Sequence, residues 1–114
     1  MNEFIFDIMS LLTVDGVEIP VEWLKYKGKE TTYIVFSDLG ETPASHSDDE
    51  CDYSIKQFDF DIYTKGNYLN ILKEVKKRLK ANGFHWVEDS PTMYEEDTGL
   101  YHITTTFEIE IYNK

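Results

Sequence analysis

A second cysteine is absent. Cys51 stands alone, which removes an intrachain disulfide framework and any zinc site built from several thiolates. Also absent is any run of about 18 apolar residues, and the start of the chain lacks the basic stretch that precedes a secretory segment. A soluble, intracellular protein is the expectation. Length is short as well: 114 residues suffice for one domain, 1–114, whose single core buries roughly 60 to 65% of the surface exposed by the unfolded chain.

Basic charge is scarce. Eleven Lys and Arg face 22 Asp and Glu, a net charge of −11, and such a field repels phosphate, so an ordinary nucleic-acid reader is disfavoured. The charge is also segregated. Asp38, Glu41, Asp48, Asp49, Glu50 and Asp52 follow one another without a base between them, and Glu88 to Asp97 is acidic again. Lys73, Lys76, Lys77, Arg78 and Lys80 make a basic cluster. Unlike patches of this kind suit head-to-tail stacking of copies, with the acidic stretch and the basic face as the candidate pair.

What is present is alternating periodicity. From Asn2 to about Thr13, Phe4, Ile5, Ile8, Leu11 and Leu12 fall on one helical stripe. Phe6 projects nearly opposite that stripe, which marks it as a candidate subunit contact. Val17 to Trp23 alternates as a strand, with Pro20 pointing to a sheet edge. A connection at Lys25–Lys29 and a strand over Thr31–Ser37 then complete a predicted hairpin. Asp38 to about Glu50, rich in Gly, Pro, Ser and acids, reads as a mobile loop and as the first place to look for a partner. A strand from about Cys51 to Tyr63 changes phase near Lys56-Gln57, where a bulge is expected.

Asn67 is the predicted N-cap of a second helix, Tyr68 to Asn82, burying Tyr68, Ile71, Leu72, Val75 and Leu79, with Gly83 as its left-handed terminator. Lys73, Lys77 and Lys80 project opposite that stripe, flanked by Lys76 and Arg78, and cations near the helix end oppose its partial negative charge. Phe84–Glu88 and Leu100–Tyr112 are predicted strands, the latter long enough to be central. The expected architecture is α+β: a mainly antiparallel five-stranded sheet with two helices on one face, in the order α-β-β-β-α-β-β. The other face would carry Asp59, Asp61, Glu108 and Glu110.

Catalytic arrangements do not assemble from these residues. Asp97-Thr98-Gly99 matches the aspartic-protease triplet, but it follows Glu95-Glu96 instead of an apolar strand and has no second element, so it reads as a turn. His46, His85 and His102 have no helical pairing, and His46 beside Asp48, Asp49, Glu50 and Cys51 lacks the alternation and glycine of a calcium loop. Carboxylates close to Cys51 in sequence would raise its thiol pKa, which argues against a nucleophile. No phosphate-cradling glycine motif occurs. Catalytic residues, metal and cofactors are therefore expected to be none.

The layout, with DFDIYTKG before a helix NYLNILKEVKKRLKANGF and a final strand YHITTTFEIEIY, resembles the tail-completion (tail terminator, head-tail joining) proteins of long-tailed bacteriophages. Asp61-Ile62-Tyr63-Thr64 and Gly83-Phe84 match the family's strand end and helix end; the very acidic stretch departs from it. The resemblance implies a non-enzymatic virion structural protein. It would form a homo-oligomeric ring, usually a hexamer, that caps the tail tube and docks on the head connector. Its partners would be copies of itself, tail-tube and connector proteins, and no membrane, and DNA would pass without specific binding. Its location would be the host cytoplasm during assembly and then the virion neck or tail. The alternative is a small acidic inhibitor or DNA mimic that binds a nucleic-acid enzyme.

Overall fold

The computed structural model describes residues 1–47 and 50–112, with the backbone alone for 45–47 and 50–52. In chain order the elements are α1 (Asn2–Ile8), β1 (Thr13–Val14), β2 (Val17–Glu18), β3 (Val21–Trp23), β4 (Tyr33–Ser47), β5 (Glu50–Thr64), α2 (Tyr68–Ala81), β6 (His85–Asp89), β7 (Met93–Glu95) and β8 (Leu100–Tyr112). The class is α+β, with two helices and a mixed sheet of order β3-β4-β5-β8-β6, in which β7 also pairs with β8. Strands β1 and β2 form a separate small hairpin.

Alternation along the three long strands builds a two-faced layer. Ile34 and Phe36 of β4, Phe58, Phe60 and Ile62 of β5, and Ile103 and Phe107 of β8 share one side and are buried with Ile5 and Ile8 of α1 and Ile71, Leu72, Val75 and Leu79 of α2. Aromatic contacts tie the strands together. Phe60 lies between Phe36, at 5.9 Å between ring centroids, and Phe107, at 6.3 Å. Phe58 meets Phe84, which stacks on Phe4. Burial of such rings is the largest favourable contribution to a domain of this size.

Helix α2 follows its expected signals closely. The Asn67 side chain accepts hydrogen bonds from the backbone N–H of Leu69 and Asn70, and Gly83 follows the helix at φ 90°. Across the sheet, β8 is central, paired with β5 on one side and with β6 and β7 on the other.

Several expectations are corrected. Helix α1 stops at Ile8 instead of continuing to about Thr13, because Leu11 adopts φ 52° and turns the chain into β1. The strand expected over Val17–Trp23 is broken at Ile19-Pro20. Its second piece, β3, is an edge strand but runs parallel to β4, so no hairpin joins them. Residues 24–32 cross back instead. Tyr26 stacks on Tyr33 at 4.1 Å, and the Gly28 backbone lies so close to the Tyr26 ring that an added Cβ would sit 2.2 Å from its hydroxyl.

The stretch expected to be a loop after Asp38 is strand as far as Ser47. Its backbone pairs with β5, and β5 is held in turn by β8, so ladder hydrogen bonds supply what apolar burial does not. The bulge expected in β5 lies across from it: the register shifts are between β5 and β4, at Asp38/Gly40 and near Pro43 and Ser45. The β5–β8 register is unbroken, and the phase of Tyr53 and Ile55 belongs to the face opposite Phe58. A short β7 also appears in what read as a connection. The element order is therefore α-β-β-β-β-β-α-β-β-β, and the sheet is mainly antiparallel as expected, but it has six strands instead of five and one parallel pair, β3–β4.

Phe60→Ala empties the centre of this aromatic row. It should lower unfolding stability by about 3–5 kcal/mol, while Leu69→Ala on exposed α2 surface should change it by under about 0.5 kcal/mol, both read from urea midpoints.

Candidate functional site: the open sheet face and the outer face of α2

The helices cover one side of the sheet and leave the other open. On that open side, side chains from neighbouring strands line up in rows. Tyr33 of β4, Tyr63 of β5 and His102 of β8 are register partners, and with Tyr26 they form a column of four stacked rings. Successive centroids are 4.1, 4.8 and 4.1 Å apart. The next row holds Val35, Asp61 and Thr104, where Asp61 accepts a hydrogen bond from Thr104 Oγ1 and pairs with His102 Nε2 at 3.0 Å. Beyond it, Asp59 accepts from Thr106 Oγ1 at 2.6 Å, with Glu88 opposite Thr106. Glu108, held by Gln57 at 3.3 Å, and Glu110, 3.7 Å from His85, continue the series. Asp59, Asp61, Glu108 and Glu110 thus lie on the open face, as alternation implied.

This environment keeps the phenols protonated. Burial pushes the Tyr63 hydroxyl up to about 12, with Asp61, Tyr33 and Glu95 adding to the shift. Burial, then Glu95 and Tyr26, also raises Tyr33. Both are protonated at neutral pH. Local sequence did not single out this column, because it exists only once the register of three strands and the return path of residues 24–32 are set.

The predicted interaction residues separate into three groups. Asp48 and Asp49 lie outside the described residues; Glu50 and Asp52 fall on β5 by backbone, and their side chains are outside the description. Phe6 is 39% exposed and rests edge-on against Phe36 at 5.2 Å, so half its ring is covered within the chain. The basic cluster is divided. Lys76 Nζ donates to Asp89 at 2.6 Å and lies over the Trp86 ring. Arg78 pairs with Glu74 at 3.1 Å and donates to the backbone carbonyls of Ile8 and Ser10, joining α2 to the end of α1. Lys73, Lys77 and Lys80 remain exposed and have no side-chain partner among the described residues.

Asp97-Thr98-Gly99 is a turn: the Gly99 N–H donates to the Glu95 carbonyl, and Gly99 takes φ 73°. Among the described residues, no three His, Cys, Asp or Glu side chains converge as metal ligands. Among them, too, no helix is long and apolar enough to cross a membrane. The open face presents charged and aromatic rows, and a shallow hollow beside the column is lined by Lys25, Tyr26, Tyr33, Asp61, Tyr63 and Glu95. No protein-family model matches the chain, and no curated protein matches it in sequence.

Asp89 accepts hydrogen bonds from three side chains, those of Lys76, Trp86 and Thr105. Burial works to raise its pKa, but hydrogen bonds from Lys76, Thr105 and Trp86 outweigh this and hold it below its ordinary 3.8. A lowered folded-state pKa contributes stability that is fully present above the ordinary value and is lost as pH falls through the lowered one. Asp89→Asn should cost about 1–3 kcal/mol at neutral pH. Acidification below about 3.8 should then destabilise the wild type more than the variant, shown by melting temperature against pH.

Proposed function

We propose that this chain is a structural, non-enzymatic protein of a long-tailed phage or prophage. Copies assemble into a homo-oligomeric ring that caps the tail tube and joins it to the head connector, formed in the host cytoplasm and carried in the virion neck or tail. The observation that carries this reading is an arm without a cover. Strands β4, β5 and β8 continue past the helices, and the chain measures 53 × 26 × 23 Å. Its radius of gyration is 15.5 Å, against about 13 Å for a compact domain of this length.

Toward its tip the arm's apolar side chains lose their cover: Ile109 still packs against the rim of the core, Ile111 is half-buried, and Leu39 is 50% and Tyr112 66% exposed. A monomer gains nothing from such a projection, whereas a ring subunit uses it to reach its neighbour. The acidic open face supports the same reading, since carboxylates facing a DNA path repel phosphate and let it slide. Tail-tube and connector proteins are the remaining partners.

Native mass spectrometry tests this. A closed ring is expected, and six copies of the 13.4 kDa chain would give roughly 80 kDa. A strict monomer at high concentration, alone and with tail-tube and connector proteins added, would overturn the proposal. Capture of a DNA-binding enzyme, competed by duplex DNA, would replace it with the mimic.

A further inference from the structure

The molecule presents opposite charges on its two broad sides. The outer face of α2 carries Lys73, Lys77 and Lys80, exposed and without side-chain partners among the described residues. The open sheet face, on the far side of the layer, carries Glu110, Glu108, Asp59 with Glu88, and Asp61 in successive rows. Among the described residues no Lys or Arg forms an ion pair with any of these five carboxylates; Glu108 is held by Gln57, Glu110 by His85 and Tyr112, Asp59 by Thr106, and Asp61 by Thr104 and His102.

The spacings differ by about 3 Å over three rows, within the reach of a lysine side chain. Lysines at i, i+4 and i+7 of a helix rise by about 6 and then 4.5 Å, and carboxylates two residues apart on a strand are separated by roughly 6.8 Å. A helix laid along β8 thus sets one lysine against each row from Glu110 to Asp59. A single copy cannot make this contact with itself, because the sheet and its core separate the two faces.

We infer that adjacent copies meet face to back, with Lys73, Lys77 and Lys80 of one copy seated on the carboxylate rows of the next copy's open sheet face. The inference rests on the ring reading above and names the surfaces that form its contact. The interface is heterologous, so it propagates from copy to copy and closes only when the rotation per step divides a full turn. Its charges steer encounter and fix register, and apolar arm contacts add area.

Complementary charge reversal tests this. One variant carries Lys73→Glu, Lys77→Glu and Lys80→Glu; the other carries Glu88→Lys, Glu108→Lys and Glu110→Lys. Each alone should self-associate on the order of tenfold more weakly than wild type in sedimentation velocity. An equimolar mixture should recover the wild-type mass, because every junction again joins opposite charges. Raising salt from about 0.05 to 0.5 M should weaken wild-type assembly; this arm and the helix variant decide the matter if the sheet variant fails to fold by circular dichroism. Folded variants that assemble like wild type, a mixture of folded variants that recovers nothing, or salt-insensitive assembly would overturn the face-to-back contact and leave the ring standing. A wild-type protein that never assembles would remove both.

Discussion

Strand β5 is hydrogen-bonded on both sides along most of its length, to β4 from Glu50 to Tyr63 and to β8 from Tyr53 to Thr64. Pairing on both sides leaves its backbone satisfied and commits its side chains to two faces with a period of two. Phe58, Phe60 and Ile62 must then share the side that α1 and α2 cover, and Asp59, Asp61 and Tyr63 must share the other. Shifting β5 by one residue would bury two carboxylates and expose two phenyl rings. The core, the aromatic column and the acidic face are therefore consequences of one register.

The helices respond to the same constraint. Helix α2 buries one stripe on the phenylalanine row, which forces its cations to the sides and the back. At the sides they meet local acceptors: Lys76 finds Asp89 at the end of β6, and Arg78 finds Glu74 and the carbonyls of Ile8, the last residue of α1, and of Ser10 just beyond it. The Ile8 carbonyl closes the helix, so there the guanidinium satisfies a group that a helix end leaves open. Cations at the back have no such acceptor. The division of one sequence cluster into structural and outward-facing members follows from angular position on the helix alone.

Much of this was readable from residue order, and the limits are physical. The alternation of β8, the Asn67 cap and the Gly83 terminator are local signals, and each element lies close to where its signal points. Strand direction is not local: nothing between Val17 and Ser37 says that β3 runs parallel to β4, because that depends on the docking of Tyr26 over Tyr33. The extension of β4 past Asp38 was hidden for a different reason. Gly40, Glu41 and Pro43 are poor strand formers, and only the paired neighbour makes them a strand. The acids of the open face were legible from alternation. The column through Tyr26, Tyr33, Tyr63 and His102 was not, since it joins four separate segments. The basic cluster was visible as a group, but the engagement of Lys76 and Arg78 required knowing where β6 and the end of α1 lie.

The arm has a guarded outer edge. Beyond Phe36, β4 has no strand partner on its far side among the described residues, because β3 pairs with Ile34–Phe36. A long open edge of this sort invites indiscriminate strand addition and fibre growth. Here Pro43 removes a backbone donor, the register shifts at Asp38/Gly40 and Pro43/Ser45 twist the ladder, and Glu41 adds charge. These three features work against strand addition along the bare edge of the projection.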